Sequence, residues 1–267
     1  MGTINEMIKV AESEGFFDEN ADAKVCQDIV LKALAESTLS KNVTIKGGVV
    51  MRSISHSARR ATQDMDIDFI RYSLSNDSIL QFIDKLNNLE GIKIEAIKKI
   101  EGLKQQDYSG KRVYIRITDE IGESIESKID LGVHKNLSIN QDEYCFDITY
   151  FDYGANLLIN SKEQMITEKL GSLLKFGKNS TRYKDVFDIY YLNKYSDVQK
   201  LLNCFDTLIF SNTNMKESNI NDVQKRIAST FNDSQYVLRL SQSRKNWLNE
   251  PVKEILQDIL DFISDLS

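Results

Sequence analysis

The sequence predicts an α+β fold, with strands and helices in its first part and helices in its second. Stretches that alternate between apolar and polar residues, as strands do, are concentrated in residues 43–150. Beyond residue 160 the apolar residues recur with helical spacing instead. The chain has 267 residues, enough for one large domain or two small ones. We therefore expect two domains, residues 1–155 with a mixed β-sheet and residues 156–267 with helices.

The first part begins with two helices and continues to a strand rich in aspartate. In the second helix, Val25, Ile29 and Leu34 keep roughly helical spacing. The next strand ends at a pair of glycines, and a short helix follows it. Up to residue 89 the predicted elements are helices 4–14 and 22–37, strand 43–45, helix 49–55, the aspartate strand around residues 64–69, and helix 77–89.

Four further strands and six helices complete the prediction. A polar link that contains Asp107, Ser109 and Gly110 is typical of a turn between strands. The only proline, Pro251, stands where the first turn of a helix tolerates it. The strands are predicted at residues 92–100, 111–118, 123–133 and 144–150. The helices are predicted at residues 162–176, 184–195, 197–210, 216–231, 234–241 and 251–266.

The composition is ordinary for a globular protein, with 41% hydrophobic and 28% charged residues. No apolar run approaches the roughly 20 residues that a membrane-spanning helix needs, and the N-terminus lacks the features of a signal peptide. The cysteines, Cys26, Cys145 and Cys204, form no C-x-x-C pair, which argues against a zinc site or a disulfide framework. We therefore expect a cytoplasmic protein with free thiols and no membrane partner.

Positive charge is concentrated in two regions of an acidic chain. The net charge is −6, but residues 41–72 and residues 162–194 each carry a net +3. The remainder of the chain then carries −12. This distribution favours a local anionic ligand such as a nucleotide, although chance clustering of surface charge is the alternative.

Three aspartates, Asp64, Asp66 and Asp68, alternate with three apolar residues. In a strand, side chains point to opposite faces with period two, so the three carboxylates share one face. Close carboxylates repel one another, and a divalent cation such as Mg²⁺ or Mn²⁺ removes that cost. A solvated strand face is the alternative. An EF-hand is excluded because Phe69 and Ser75 stand where its glycine and its bidentate glutamate belong.

A second alternating strand carries Asp130. Glu126, Lys128 and Asp130 share a face opposite Ile129 and Leu131. If this strand lies beside the aspartate strand, Asp130 completes a cluster of carboxylates that can hold metal ions for phosphoryl transfer. A solvated strand end is the alternative.

Lys46-Gly47-Gly48 ends a strand before a predicted helix. Glycines there let backbone N–H groups approach an anion, and a helix N-terminus favours negative charge. A simple turn is the alternative interpretation. The segment is not a Walker A loop, because no Gly-Lys-Ser/Thr follows it.

Three charged residues in the helical part occupy unexpected positions. Lys169 lies inside the apolar arc of helix 162–176, where it either extends to the rim or enters a cleft and meets a phosphate. Asp185 and Asp188 share a face of a helix that is apolar almost all round. Buried carboxylates need partners, and Lys169 and Arg182 are the candidates. A salt bridge between two helices competes here with a catalytic role.

Taken in order, these motifs resemble the AbiEii/AbiGii toxin family. The order is Lys46-Gly47-Gly48, Arg60-Ala61-Thr62-x-Asp64-Met65-Asp66, Lys128-Ile129-Asp130, Glu168-Lys169-Leu170 and Arg182-Tyr183-Lys184-Asp185-x-x-Asp188-Ile189-Tyr190. That family comprises minimal nucleotidyltransferases of the DNA polymerase β-like superfamily that act as toxins of type IV abortive-infection systems. The resemblance covers about residues 43–195. Gly47-Gly48 replaces the superfamily's Gly-Ser dipeptide, and Asp68 is an additional acid.

The resemblance implies a polymerase β-like nucleotidyltransferase domain with a mixed sheet, followed by an α-helical C-terminal domain. It implies that Gly47 and Gly48 contact the triphosphate of an NTP. Lys46 and Arg60 belong to the same nucleotide-binding motifs, and Lys169 matches the lysine that contacts nucleotide phosphates.

The resemblance also implies the catalytic and metal-binding residues. Asp64 and Asp66 match the metal ligands, and Asp130 matches the third carboxylate, a metal ligand or the base on the acceptor hydroxyl. Asp185 and Asp188 match the Lys-Asp-x-x-Asp element.

The resulting hypothesis is a Mg²⁺- or Mn²⁺-dependent transfer of a nucleoside monophosphate from an NTP to an acceptor hydroxyl, with release of pyrophosphate. The resemblance suggests RNA, especially a tRNA 3′ end, as acceptor. It also implies the toxin of an abortive-infection toxin–antitoxin system in phage defence, with an antitoxin encoded nearby. The alternatives are a catalytically silent NTP-binding protein and a non-enzymatic interaction module.

Overall fold

The computed structural model of this protein describes residues 2–103 and 110–266. The chain divides into two compact units, one ending at Asn160 and the other beginning at Ser161. The described residues form ten α-helices and one mixed β-sheet, which confirms the α+β class. The assignment of residues 1–155 to a nucleotidyltransferase domain and of residues 156–267 to a helical C-terminal domain stays a prediction.

The first unit is built on a sheet of eight strands among the described residues. The strands are β1 (Val43–Lys46), β2 (Met65–Phe69), β3 (Ile92–Ala96), β4 (Glu101–Leu103), β5 (Gly110–Asp119), β6 (Ser124–Val133), β7 (Asp142–Phe146) and β8 (Ala155–Ile159). Their order is β3-β5-β6-β2-β1-β8-β7, and β4 pairs with β5 outside that path. The pairs β2–β6 and β1–β8 are parallel, and the other pairs are antiparallel. Because β2 pairs with β1 on one side and with β6 on the other, it lies in the interior of the sheet.

Four helices accompany this sheet: α1 (Ile4–Ser13), α2 (Glu19–Ala35), α3 (Gly47–Ser55) and α4 (Asn76–Lys85). Thr3 and Glu6 form a capping box that satisfies N–H groups at the start of α1. From Ala21 to Leu34 nearly every residue of α2 is buried, because the helix packs against both α1 and the strands β6 and β8. The helix α3 packs against β1 and β2, which brings its first residues close to the aspartate strand.

In the second unit the described residues form helices and their connections. The α-helices are α5 (Lys162–Phe176), α6 (Tyr183–Asn193), α7 (Val198–Phe205), α8 (Ile220–Phe231), α9 (Ser234–Gln242) and α10 (Val252–Ser264). Side-chain oxygens of Ser161, Asp197, Asn219 and Asp233 cap four of them by accepting backbone N–H groups. A π-helical segment, Asp206–Phe210, extends α7. No described helix has both the length and the apolar content that crossing a membrane requires.

The structure corrects several predicted bounds. Residues 97–100 and 147–150 are not strand, and residues 216–219 lie outside a helix because Asn219 is the cap of α8. The strands β4 and β8 were not predicted. β8 is a short, mostly apolar run after a glycine, and periodicity alone does not distinguish such a run from a helix. Asp107 and Ser109 of the predicted turn lie outside the described residues.

Candidate active site

The glycine pair forms the first two residues of α3, directly after β1 and against the aspartate strand. Gly47 has a positive φ of 68°, which a glycine adopts without strain. A Cβ at this position would lie 2.5 Å from Asp66 Oδ2, and one on Gly48 would lie 2.5 Å from Thr62 Oγ1. The absence of side chains at both positions therefore allows the N-terminus of α3 to approach the carboxylate of Asp66.

Asp66 and Asp130 are direct neighbours on adjacent strands. The parallel pairing of β2 with β6 sets Asp66 beside Asp130, and residues paired in this way point to the same face of a sheet. Asp64 stands one residue before β2 and two before Asp66, so it belongs to the same face. Met65, Ile67 and Phe69 on the opposite face are almost completely buried. The predicted alternation is therefore confirmed, and the predicted proximity of Asp130 is confirmed with it.

Two of these acidic side chains, Asp130 and Asp64, have basic partners in this structure. Arg112 of β5 binds Asp130 through two hydrogen bonds of 2.6 and 2.7 Å. Lys128 Nζ lies 2.9 Å from Asp64 Oδ1. Within residues 2–103 and 110–266, no group of three or more His, Cys, Asp or Glu side chains is arranged to hold a metal ion. The carboxylates are thus adjacent, but ion pairs rather than a preformed metal cage organise them.

The additional acid, Asp68, is also paired. Lys46 Nζ lies 2.7 Å from its Oδ1 and 2.8 Å from its Oδ2, and the carboxylate is buried. Lys46 stands beside Asp66 in the β1–β2 register. One ammonium therefore neutralises Asp68 while it acts on the charge of Asp66.

Asp66 has an unusual proton affinity. Burial is the main reason that its pKa is raised from 3.8 to about 6. Lys46 lowers this pKa, whereas the negative charges of Asp130, Asp64 and Asp68 raise it. Conversely, the hydrogen bonds from Arg112 to Asp130 raise the pKa of the guanidinium above its ordinary value. A carboxylate that is costly to ionise next to other carboxylates is one that a cation would stabilise.

Helix α2 supports both segments that carry these residues. Gln27 Nε2 donates a hydrogen bond of 2.9 Å to the carbonyl oxygen of Thr62, in the segment that leads into the aspartates. Asp28, which is 1% exposed, accepts a 2.9 Å hydrogen bond from Arg52 of α3 and also binds Lys24. Adjacent residues of one helix therefore hold the segment before the aspartate strand and the helix that begins with the glycines.

Arg60 is buried, unlike a residue at the surface of a site. It ends a short 3₁₀ helix, Ala58–Arg60, and only 3% of the residue is exposed. Its predicted contact with nucleotide is not tested by this arrangement and stays a prediction.

In the second unit, Lys169 binds both predicted aspartates. Its Nζ lies 3.0 Å from Asp185 Oδ1 and 2.8 Å from Asp188 Oδ2, which confirms the predicted pairing. Asp188 is completely buried, and Trp247 Nε1 donates a 3.0 Å hydrogen bond to its other oxygen. Arg182 is more distant, with NH1 3.9 Å from Asp185 Oδ2. These contacts connect α5, α6 and the segment before α10 through one charged centre.

Comparison with known protein families shows the family to which this chain belongs. The family model described as the nucleotidyl transferase AbiEii toxin of type IV toxin–antitoxin systems matches residues 29–258. This protein belongs to the AbiEii family. The match includes the glycine pair, the aspartate strand, Asp130 and the Lys169 centre, so it extends beyond the motifs recognised in the sequence. No curated protein matches the chain.

Several partners within this AbiEii chain were not predicted from the sequence. Arg112 and Trp247 bind the candidate site residues Asp130 and Asp188, and Gln27 binds the backbone of Thr62 before the aspartate strand. A signal for Arg112 exists, because a hairpin that turns between Thr118 and Ser124 sets Arg112 opposite Asp130. Gln27 and Trp247 are distant in sequence from the residues they bind, and no local pattern indicates those contacts.

Proposed function

We propose that this AbiEii-family protein transfers a nucleoside monophosphate from an NTP to an acceptor hydroxyl and releases pyrophosphate. The observation that carries the proposal is the register that sets Asp66 beside Asp130, with Gly47 packed against the Asp66 carboxylate. The family match to a nucleotidyl transferase toxin supports the same chemistry. Adjacent carboxylates beside a glycine-lined helix start are suited to bind a phosphate chain together with cations.

The proposed metal ligands are Asp64, Asp66 and Asp130, with Mg²⁺ or Mn²⁺ as the ion. Their donors are carboxylate oxygens, which hard divalent cations prefer. The pKa of Asp66, which burial and the charges of Asp130, Asp64 and Asp68 raise, also supports this assignment, because a bound cation would favour the ionised carboxylate. When bound, a divalent cation supplies stabilisation of the charge on the transferred phosphoryl group and the leaving pyrophosphate. Lys128 and Arg112 hold two of the ligands in place and balance their charge.

The proposed triphosphate contacts are backbone N–H groups of Gly47 and Gly48, together with Lys46. Asp66 and Thr62 pack closely against the two glycines, and the N-cap residue of α3 makes no side-chain hydrogen bond to the first turn, whose N–H groups are the proposed donors to the anion. The family motifs extend this proposal to Arg60 and Lys169. Holding both reactants in line with the acceptor is the main way in which such a protein lowers the barrier.

The roles of the remaining carboxylates follow from their surroundings. Asp130 is a candidate base for the acceptor hydroxyl as well as a metal ligand, because it lies beside Asp66 at the same face. Asp185 and Asp188 are proposed to act through Lys169, which both of them bind. Asp188 has no surface exposure, so we propose that it orients Lys169 and does not touch substrate.

We further propose that the acceptor is RNA, such as a tRNA 3′ end, and that the protein is the toxin of an abortive-infection system in phage defence. The type IV toxin–antitoxin description of the family supports this, and it implies an antitoxin partner. The three cysteines are free, in keeping with a cytoplasmic location.

The decisive experiment is incubation of the protein with each radiolabelled NTP, Mg²⁺ and total cellular RNA. We expect labelled RNA from the wild type and a loss of about 100-fold or more in Asp64→Ala and in Asp66→Ala, the scale on which removed transition-state contacts act. Asp77→Ala is the matched control, because Asp77 is an exposed carboxylate in the first turn of α4. Melting curves verify that each variant is folded. Full activity in both site variants would contradict the metal assignment.

A catalytically silent NTP-binding protein is the second candidate. The ion pairs of Asp64 with Lys128 and of Asp130 with Arg112 favour it, because they already neutralise two proposed metal ligands. Calorimetry distinguishes the two candidates. NTP affinity without incorporation of label into RNA, protein or small acceptors would select the silent protein.

A further inference from the structure

A basic surface with an exposed aromatic ring surrounds the connection between α5 and α6. We call it the connector surface and define it by Lys175, Phe176, Lys178, Arg226 and Arg239. All five residues are exposed, and they come from the end of α5, the following 3₁₀ helix Gly177–Asn179, α8 and α9. Asp233, which caps α9, lies 3.4 Å from Lys178 Nζ. The connector surface thus brings four basic side chains to this part of the second unit.

The two arginines are held in place by the backbone of the connection. Arg226 Nε donates a 3.3 Å hydrogen bond to the carbonyl oxygen of Leu174, and Arg239 NH2 donates one of 2.6 Å to that of Lys178. A Cβ on Gly177, where φ is 52°, would lie 2.9 Å from Arg226 NH2, so the guanidinium lies directly over this glycine. Each bond uses one of the five N–H groups of a guanidinium. The surface therefore presents positive charge on side chains that are already ordered, which reduces the entropy lost on binding an anion.

Phe176 adds a flat apolar group to the charged side chains. The residue is 50% exposed. The ammonium of Lys175 lies 5.9 Å from the centroid of its ring. A cavity of about 230 Å³ adjoins the ring and is lined also by Lys178, Arg226 and Ser229. An aromatic face next to cations is the arrangement on which unstacked bases stack while their phosphates are bound.

The charge of the two units also favours an anionic partner at this place. Residues 1–160 carry 19 Lys and Arg against 26 Asp and Glu, whereas residues 161–267 carry 15 against 14. The net charge of residues 161–267 is thus +1 against −7 for residues 1–160, and the connector surface adds a local cluster of cations that attracts a polyanion. An acidic peptide would satisfy the cations, but it would not use the exposed ring.

We propose that the connector surface binds a single-stranded segment of RNA, with phosphates on Arg226, Arg239 and Lys178 and one base on Phe176. That this RNA is the acceptor rests on the proposed function, whereas the binding itself does not. In the absence of NTP the surface holds RNA by phosphate contacts and one stacked base.

The test is fluorescence anisotropy with a labelled 12-nucleotide single-stranded RNA and the full chain, without NTP, over a series of salt concentrations. We expect Arg226→Gln/Arg239→Gln to weaken binding about tenfold at low salt. The slope of log affinity against log salt should fall by about 0.7 for each phosphate contact removed. Phe176→Ala should weaken binding at least about fivefold with no change of slope, as loss of a stacked base requires.

Two control variants show whether weaker binding results from loss of the connector surface or from loss of folding. Lys200→Gln/Lys253→Gln removes the same charge from exposed positions on α7 and α10 and should leave both affinity and slope unchanged. Arg226→Lys/Arg239→Lys keeps the charge but not the guanidinium geometry, and should retain the slope. Affinity that is the same in the Gln and wild-type proteins, or a single-stranded DNA that binds more tightly than the RNA, would overturn the proposal.

The outcome is separable from that of the proposed function. RNA binding that depends on the connector surface, in a protein that incorporates no label from any NTP, supports the surface and contradicts the enzyme. Incorporation that proceeds with unchanged RNA affinity in the Gln variant supports the enzyme and contradicts the surface.

Discussion

At the scale of single residues, Asp66 is a carboxylate whose charge is expensive in the folded protein. Its pKa is raised from 3.8 to about 6, chiefly by burial and also by neighbouring acids. Because the pKa of this carboxyl group is higher in the folded than in the unfolded protein, its ionisation destabilises the folded protein. This loss of stability develops as the pH rises from about 4 to above 6 and is absent at lower pH. The negative charge that the proposed function needs at Asp66 therefore lowers the stability of the folded protein.

We predict that Asp66→Asn raises the free energy of unfolding at pH 7.5 by about 1–2 kcal/mol, because each pKa unit corresponds to about 1.4 kcal/mol and the residue is only partly buried. The same variant should lose transferase activity. Denaturant unfolding at pH 7.5 and pH 4 provides the measurement, and the gain should be smaller at pH 4. A variant less stable than the wild type at pH 7.5 would contradict the assigned charge state.

The residue scale is also where sequence reasoning found candidate acids but missed their partners. Alternation in one strand predicts that Asp64 and Asp66 share a face, because that inference uses only neighbours in the chain. Arg112 was missed because its relevance depends on the strand pairing. Trp247 was missed because its hydrogen bond to Asp188 crosses 59 positions of the sequence.

At the scale of elements, the junction of β1 with α3 depends on a glycine that lies against a carboxylate. We predict that Gly47→Ala destabilises the protein by about 1–3 kcal/mol, through the strain of a positive φ and the 2.5 Å approach of Cβ to Asp66 Oδ2. It should also abolish NTP binding, because the new methyl group occupies the space beside the carboxylate. Unfolding curves and NTP calorimetry are the measurements.

Gly171→Ala is the matched control for this change. Gly171 lies within α5, and a Cβ there would meet no atom within 4 Å. The same substitution should therefore stabilise the protein by about 0.5–1 kcal/mol, since alanine is the better helix former. Equal effects of the two substitutions would mean that the contact between Gly47 and Asp66 has no consequence.

Elements were predicted well where one face of a helix or strand is apolar. The helix at Lys162–Phe176 and the strands β5 and β6 have nearly the predicted bounds, because their burial follows the alternation or the helical period of their own residues. β8 was missed because its five residues are mostly apolar, and a short apolar run does not distinguish a strand from a helix even though β7 pairs with it nearby.

At the scale of the whole molecule, ligand binding should increase the stability of the folded protein. We predict that Mg²⁺ together with an NTP at about 100 times the dissociation constant raises the melting temperature by about 5 °C or more, because a ligand that binds only the folded state stabilises it by about 2.7 kcal/mol. Differential scanning fluorimetry measures the shift. Mg²⁺ alone and NTP with EDTA are the controls.

The same measurement distinguishes the metal-binding carboxylates from the remainder of the chain. Asp64→Ala/Asp66→Ala should show no shift, while Asp77→Ala should behave like the wild type. An undiminished shift in the double variant would indicate that the nucleotide binds elsewhere.

The β2–β6 pairing has a consequence for synthesis of the protein. Asp66 and Asp130 are adjacent in the sheet but 64 residues apart in the chain, and pairings across such distances form slowly because loop closure precedes any contact. A chain still on the ribosome, or one truncated before β6, therefore lacks the carboxylate pair altogether. The carboxylate pair on which the proposed transfer depends therefore cannot assemble before translation has passed the sixth strand.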